Sequence, residues 1–279
     1  MTYTRDAQMK TYPRIIRQPC RVGVFALSLL FLAASQGLGR SAQPLRALLI
    51  TGGCCHDYEA QKKILTEGIS ARANVTWTIV HEGGDSHDHL VSIYQKPDWA
   101  KGYDVVVHNE CFGLVTNVAF IEQIARAHTN GVAAVVIHCS IHSYRMAPTD
   151  EWRKVLGVSS YSHEKNRTFE VVNVKPEHPI MIGFPAQWAD PSDELYQIKK
   201  LWLNCVPLAK GIGDKGEEHV CVWANTCGKG RVFGTTMGHG NGTMEQPVYL
   251  DLVTRGLLWA CGKLGEDGKP LAGYGPAKQ

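Results

Sequence analysis

Residues 45–58 read "LRALLITGGCCHDY", an unbroken apolar run that stops on two glycines and then delivers two cysteines, a histidine and an aspartate. An apolar run without alternation suits a strand buried on both faces, the habit of parallel sheets. Directly after it, Ala60, Ile64, Leu65 and Ile69 recur at helical spacing across 58–72. "NVTWTIVHEGG" (74–84) alternates as a second strand, and "YDVVVHNEC" (103–111) forms a third. A helix through Val118, Phe120, Ile121, Ile124 and Ala125 leads to a fourth strand, "VAAVVIHC" (132–139). Strand–helix–strand at this spacing predicts right-handed crossovers and a mostly parallel sheet with helices on both sides.

The pattern changes after residue 150. "RTFEVVNV" (167–174) alternates, and 219–239 reads as two strands joined at Gly228-Lys229-Gly230, a tight hairpin turn. Thr243-Met244-Glu245-Gln246-Pro247 has capping-box spacing with a proline near the helix start. Leu250, Val253, Leu257 and Ala260 then line one face of a final helix. No internal repeat and no linker divides the chain, so one α/β domain over 43–264 is expected, with 265–279 as a loose tail.

The composition is globular: 44% of the 279 residues are hydrophobic and 20% charged. A net charge of +3 without any Lys/Arg block gives no electrostatic footprint for nucleic acid. At the N-terminus, Lys10, Arg14, Arg17 and Arg21 precede the apolar "VGVFALSLLFLAA" (22–34) and a run of small residues. That order predicts a secretory signal over 1–39, removed on export to a periplasmic or extracellular location. The alternative is an uncleaved signal retained as a membrane anchor. Of nine cysteines, Cys20 falls in the leader and the other eight are scattered, several within apolar patterns. Mostly free thiols are expected, with at most one or two bridges.

In a parallel sheet, the loops beyond the carboxyl ends of the strands converge on one crevice. Here those ends carry Cys54, Cys55, His56 and Asp57; His81 and Glu82; His108, Asn109, Glu110 and Cys111; His138, Cys139 and His142; and, after the hairpin, Met237-Gly238-His239. Imidazoles and carboxylates gathered there could hold a divalent metal such as zinc, or act as metal-free acid and base. No His-Glu-x-x-His is present, and His138 and His142 share a face only if a helix begins by residue 138. A nucleophile elbow centred on Cys139 is disfavoured because Ile137 and Ile141 stand where small residues are needed, whereas an elbow centred on His138 fits better.

"LLITGGCCHDY", "YDVVVHNE", "GVAAVVIHCSIHSYR", "EHPIMIGFP" and the closing "GKGRVFGTTMGHGNGTMEQPVYLDLVTRGLLWACGK" resemble the trehalose-utilisation (ThuA-like) family over about residues 45–264. The resemblance implies a flavodoxin-like three-layer α/β sandwich, with a C-terminal β-hairpin plus helix, in the class I glutamine amidotransferase-like superfamily. It places His138 where the amidotransferases carry their nucleophilic cysteine, so glutamine hydrolysis is not inherited. It also matches His56 and Asp57 to an early His-Asp pair and His239 to a late Gly-His motif.

The expected site has His138, His239, His56 and Glu110 as catalytic groups. Asp57, Asn109, His142 and Tyr144 are the expected substrate contacts, and a metal would sit among His56, His138, His142 and His239. The expected activity is that of a sugar isomerase, hydratase, lyase or hydrolase acting on a small carbohydrate, such as a 3-keto sugar or glycoside, with homo-oligomerisation left open. One alternative is a non-catalytic carbohydrate-binding module using some of the seven tryptophans. Another is a thiol-redox or metal-binding protein built on Cys54, Cys55, Cys111 and Cys139.

Overall fold

A computed structural model describes residues 42–277, so the expected leader lies outside the described residues. The first half follows the reading above: β1 (Leu45–Gly53), α1 (Tyr58–Ser70), β2 (Val75–His81), β3 (Val105–Cys111), α2 (Val118–Thr129) and β4 (Ala133–Ile137). The second half holds α3 (Glu151–Leu156), β5 (Val158–His163), β6 (Arg167–Asn173), β7 (Gln187–Asp193), β8 (Tyr196–Leu201), β9 (Val206–Ile212), β10 (Glu218–Cys227), β11 (Gly230–Thr235), α4 (Asn241–Met244) and α5 (Pro247–Ala260).

Nine strands form one sheet in the order β2-β1-β3-β4-β11-β10-β9-β6-β7, and β5 pairs with β8 in a small second sheet. The run β2-β1-β3-β4-β11 is parallel throughout. From β11 outward every pairing is antiparallel. The sheet is therefore mixed, and the expected parallel character belongs to its first half. The reason is connection length. Helices cross between the early strands, whereas β10 and β11 are joined by a two-residue turn with Gly228 at φ 58°, which permits only antiparallel pairing.

Strand alternation sorts the core into two faces. On one, Leu49, Val107, Val135 and Phe233 pack with Leu65 and Ile69 of α1 and Val253 and Leu257 of α5. On the other, Leu48, Ile50, Val106 and Val136 pack with Ile121 and Ile124 of α2 and Trp152 and Val155 of α3. Each of these buried side chains contributes about 1.5–3 kcal/mol of apolar transfer. The result is three layers with the strand ends left free to carry loops.

Two local expectations change. Pro247 does open α5, but Gln246 is its N-cap and makes no side-chain capping bond. Thr243 instead lies in α4 and donates its hydroxyl to Asp190 at 2.6 Å, so the capping box does not form. The segment after 264, expected to be loose, is tied down. Leu271 N–H donates to the Lys263 carbonyl, Asn74 N–H donates to that of Tyr274, and the Tyr274 ring packs on the first core. Among the described residues, no helix is long and apolar enough to cross a membrane.

At Gly256 the helix α5 packs directly on the sheet: a Cβ there would lie 2.3 Å from the Phe233 ring. Gly256→Val should therefore force α5 off β11 and lower stability by about 1–3 kcal/mol, read as a reduced urea midpoint at unchanged slope.

Candidate functional site

The site begins where β4 stops. His138 follows the last strand residue with a left-handed backbone, φ 43°, and opens a short 3-10 turn over His138–Ile141. Ser140 fastens the turn. Its hydroxyl accepts from Ile137 N–H at 3.1 Å and donates to the His108 carbonyl of β3 at 2.9 Å. His138 Nδ1–H donates to the Thr236 carbonyl at 2.6 Å, which leaves the lone pair on Nε2.

Parallel pairing carries two more histidines to the same rim. His56 follows β1 and His239 follows β11. The His56 ring centroid lies 4.8 Å from that of His138 and 4.8 Å from that of His239, and the remaining pair is 5.4 Å apart. His239 is positioned by Asp193, whose carboxylate accepts from Gly238 N–H at 2.5 Å and from His239 N–H at 3.2 Å. Asp193 is fully buried, and that burial pushes its carboxyl well up, with neighbouring Asp190 adding to the shift.

Glu194 completes the cluster. One carboxylate oxygen is 3.6 Å from His138 Nε2, 3.3 Å from His239 Nδ1 and 3.3 Å from His163 Nδ1. Partial burial pushes its carboxyl up, but the surrounding imidazoles outweigh that and hold it well below the usual range. Burial lowers His56 to about 3, with His138 and His239 adding to the shift, and burial also lowers His138. The result is a set of neutral imidazoles facing one anionic carboxylate.

Both ring nitrogens of His56, Nε2 of His138 and Nδ1 of His239 are buried with no hydrogen-bond partner. One ligand atom from each of the three rings fits within 4.8 Å of the others. Unpartnered imidazole nitrogens converging beside a carboxylate match the donor types that divalent cations take.

The other expected site residues do not join the three-histidine cluster. His142 lines the same cavity but stacks on Tyr196, 4.0 Å between ring centroids, and its Nε2 bonds Ser160 Oγ at 2.9 Å, which keeps it out of the three-histidine cluster. Glu110 is fully buried beneath the site. It accepts from Tyr94 OH at 2.9 Å and pairs with His108 Nδ1 at 2.9 Å, while His108 Nε2 meets His128 Nε2 at 3.0 Å. Asn109 points to the opposite face and donates to Gln61 Oε1 of α1 at 3.2 Å. Tyr144 is buried against Trp152 and Phe120. Asp57 is the N-cap of α1, accepting from Ala60 N–H, and its other oxygen accepts from Asn241. His81, at the end of β2, sits beside Lys62 and Glu59.

The cavity over the cluster measures about 280 Å³ and also reaches Arg145, His163, Glu194 and His87. None of these four was anticipated. Tryptophan is absent from its lining, and Trp152 and Trp223 are buried in the core. A larger cavity of about 990 Å³ opens at the amino ends of β1 and β4, lined by the Arg46–Asp104 pair together with Tyr103, Cys261, Lys263 and Tyr274 among others. It gathers no converging imidazoles and lies at the end of the sheet opposite to that used by ligands of such folds.

Comparison with known proteins accords with this architecture. The family described as trehalose utilisation (ThuA) matches residues 46–260. A ThuA-like protein of Parabacteroides merdae superposes with a TM-score of 0.66 at 18% identity, covering 85% of this chain and 98% of its own. A ThuA-like protein of Bacteroides uniformis gives a TM-score of 0.57 at 17% identity, covering 78% and 92%. No curated protein matches the sequence.

The buried histidines make stability acid-sensitive. Burial lowers His128 and His56 to about 3 and His142 to about 2, against 6.5 for an ordinary histidine. Below about pH 6.5 the unfolded chain binds protons that the native chain refuses, so stability falls as pH drops from there toward 3. Each such histidine steepens the fall by up to about 1.4 kcal/mol per pH unit. Urea unfolding of His128→Gln between pH 4 and 7 should show a shallower acid limb than the parent chain, with the curves closest in shape above pH 7.

Proposed function

We propose that this chain, which belongs to the trehalose-utilisation (ThuA) family, is an exported, metal-assisted enzyme that removes a proton next to a sugar carbonyl. The observation that carries the reading is the set of unpartnered nitrogens on His56, His138 and His239 around the Glu194 carboxylate. The family's association with carbohydrate metabolism supplies the substrate class, and a 3-keto sugar or glycoside fits the chemistry because its ketone acidifies the neighbouring C–H. The cavity, about 280 Å³, suits one sugar ring. The strand order β2-β1-β3-β4-β11 in the parallel half supports the flavodoxin-like reading. Export is supported by the signal-like order of residues 1–39 and by disulfides within the domain.

His56, His138, His239 and Glu194 would hold the cation, which when bound polarises the sugar carbonyl and stabilises the enolate. The protein's own groups do the rest. The Asp193 carboxylate fixes the backbone of His239, and the Thr236 carbonyl fixes the tautomer of His138. His163 is a half-exposed cavity residue whose Nδ1–H donates to the Glu164 carbonyl at 2.8 Å; this leaves Nε2 with the lone pair, so it serves as base. Arg145, on the same cavity wall, supplies positive charge to the developing enolate. Once the enolate forms, reprotonation gives isomerisation, and loss of a neighbouring glycosyl group gives elimination.

Two measurements separate the roles. Purified mature chain should take up one equivalent of zinc or manganese, and His56→Ala and His239→Ala should each weaken binding by about 10–100-fold or more. In deuterated water, exchange of the proton beside the ketone of a 3-keto glucoside should slow by about 10²–10⁴-fold in His163→Gln with metal content unchanged. Equal exchange rates in His138→Ala, His239→Ala and the parent chain would remove the site assignment.

A further inference from the structure

Four cysteines crowd one wall of the same cavity. Cys54 and Cys55, directly after β1, are joined to each other; Cys111, the last residue of β3, is joined to Cys139 in the turn after His138. The remaining described cysteines, Cys205, Cys221, Cys227 and Cys261, are free thiols. The two bridges are in contact: Cys54 Sγ lies 3.8 Å from Cys111 Sγ. Cys55 is exposed, whereas Cys54 and Cys111 are 6% and 5% exposed. A solvent-facing sulfur is thus joined through a buried sulfur to a second bridge that ties β3 to the turn bearing His138.

Structural disulfides in secreted domains ordinarily sit apart and link distant segments. Here a bridge between neighbouring residues closes no loop and so adds almost no chain-entropy stabilisation. Its placement, beside a second bridge and open to solvent on one sulfur, has the layout of thiol–disulfide exchange.

We propose that Cys54, Cys55, Cys111 and Cys139 form a thiol–disulfide relay whose substrate is an external dithiol, a role independent of whether the histidines turn over a sugar. A donor thiolate attacks Cys55 Sγ, breaking the Cys54–Cys55 bond and releasing Cys54 as thiolate. The donor's second thiol then attacks its own sulfur in the mixed disulfide, leaving as the oxidised donor and freeing Cys55. Cys54 thiolate attacks Cys111 Sγ, which breaks the Cys111–Cys139 bond and releases Cys139 as thiolate. Attack of Cys55 on Cys54 Sγ re-forms the first bridge and releases Cys111. Two electrons and two protons pass from donor to Cys111–Cys139, and the link between β3 and the His138 turn opens.

The relay makes two demands. With dithiothreitol as donor and quenching by isotope-coded iodoacetamide, reduction of Cys111–Cys139 should be slowed about tenfold or more in Cys54→Ser, which removes the transferring sulfur. Equal rates in Cys54→Ser and the parent chain overturn the relay. Of the four relay cysteines, the double variant Cys55→Ser, Cys139→Ser leaves only the two whose sulfurs touch. Oxidised in its folded state, it should yield a Cys54–Cys111 linked peptide on non-reducing mass mapping. Recovery of both as free thiols overturns the proposal even if Cys54→Ser does not fold.

Discussion

The left-handed backbone of His138 is the constraint on which the site depends. An L-residue held there costs roughly 1–3 kcal/mol and persists only when its surroundings over-determine it. Three contacts do so from three directions. The ring is fixed to the Thr236 carbonyl beyond β11, the Ser140 hydroxyl clips the turn to Ile137 and to β3, and Cys139 is bonded to Cys111. Each draws on the side-by-side parallel pairing of β3, β4 and β11, so the strained residue is stabilised by the sheet as a whole. Were β4 to continue into a regular helix at residue 138, its imidazole would turn away from His56 and His239.

That pairing also explains how much was legible in advance. Apolar runs without alternation identify β1, β3 and β4 as strands buried on both faces, and the residue just past each such strand necessarily stands at the rim. His138 occupies that position directly after β4, His56 stands three residues past β1, and His239 stands four residues past β11. Residues inside β3 have no such place. Strand alternation sends His108 and Glu110 into the face covered by α2, where His128 and Tyr94 meet them, and sends Asn109 toward Gln61 of α1. Reading the whole "HNEC" end of β3 as rim put Glu110 and Asn109 in the cavity, when two covered faces take up polar strand residues as buried networks. Asp57 carries a structural duty of its own: a histidine–aspartate pair at a strand end is also the start of a helix, and the aspartate caps it.

Glu194, Asp193 and His163 carried no comparable signal. His163 ends β5, Asp193 ends β7 and Glu194 lies in the short link to β8, within the polar stretch "DPSDELYQ" (190–197). Nothing in local periodicity says that this link folds back over the ends of β4 and β11. Only the antiparallel half of the sheet, reached through hairpins rather than helical crossovers, brings it there. The imidazole half of the site is therefore built by the parallel strands and legible from them, whereas its anionic half is delivered by long-range topology.

The division bears on what the histidines do. An acid–base pair acting in water would ordinarily keep each imidazole hydrogen-bonded to a partner that tunes its proton affinity. Here His138 is held only on its far nitrogen, His56 is held on neither, and their near nitrogens face one another and Glu194. Burial lowers the proton affinity of both, so each presents a lone pair, the state a metal ligand requires and a poor state for a general base at neutral pH. The carboxylate in their midst offsets the charge that a bound cation would bring. His163 lies at the cavity margin with Nδ1 anchored to backbone, so the proposed reading assigns cation holding and proton transfer to different residues.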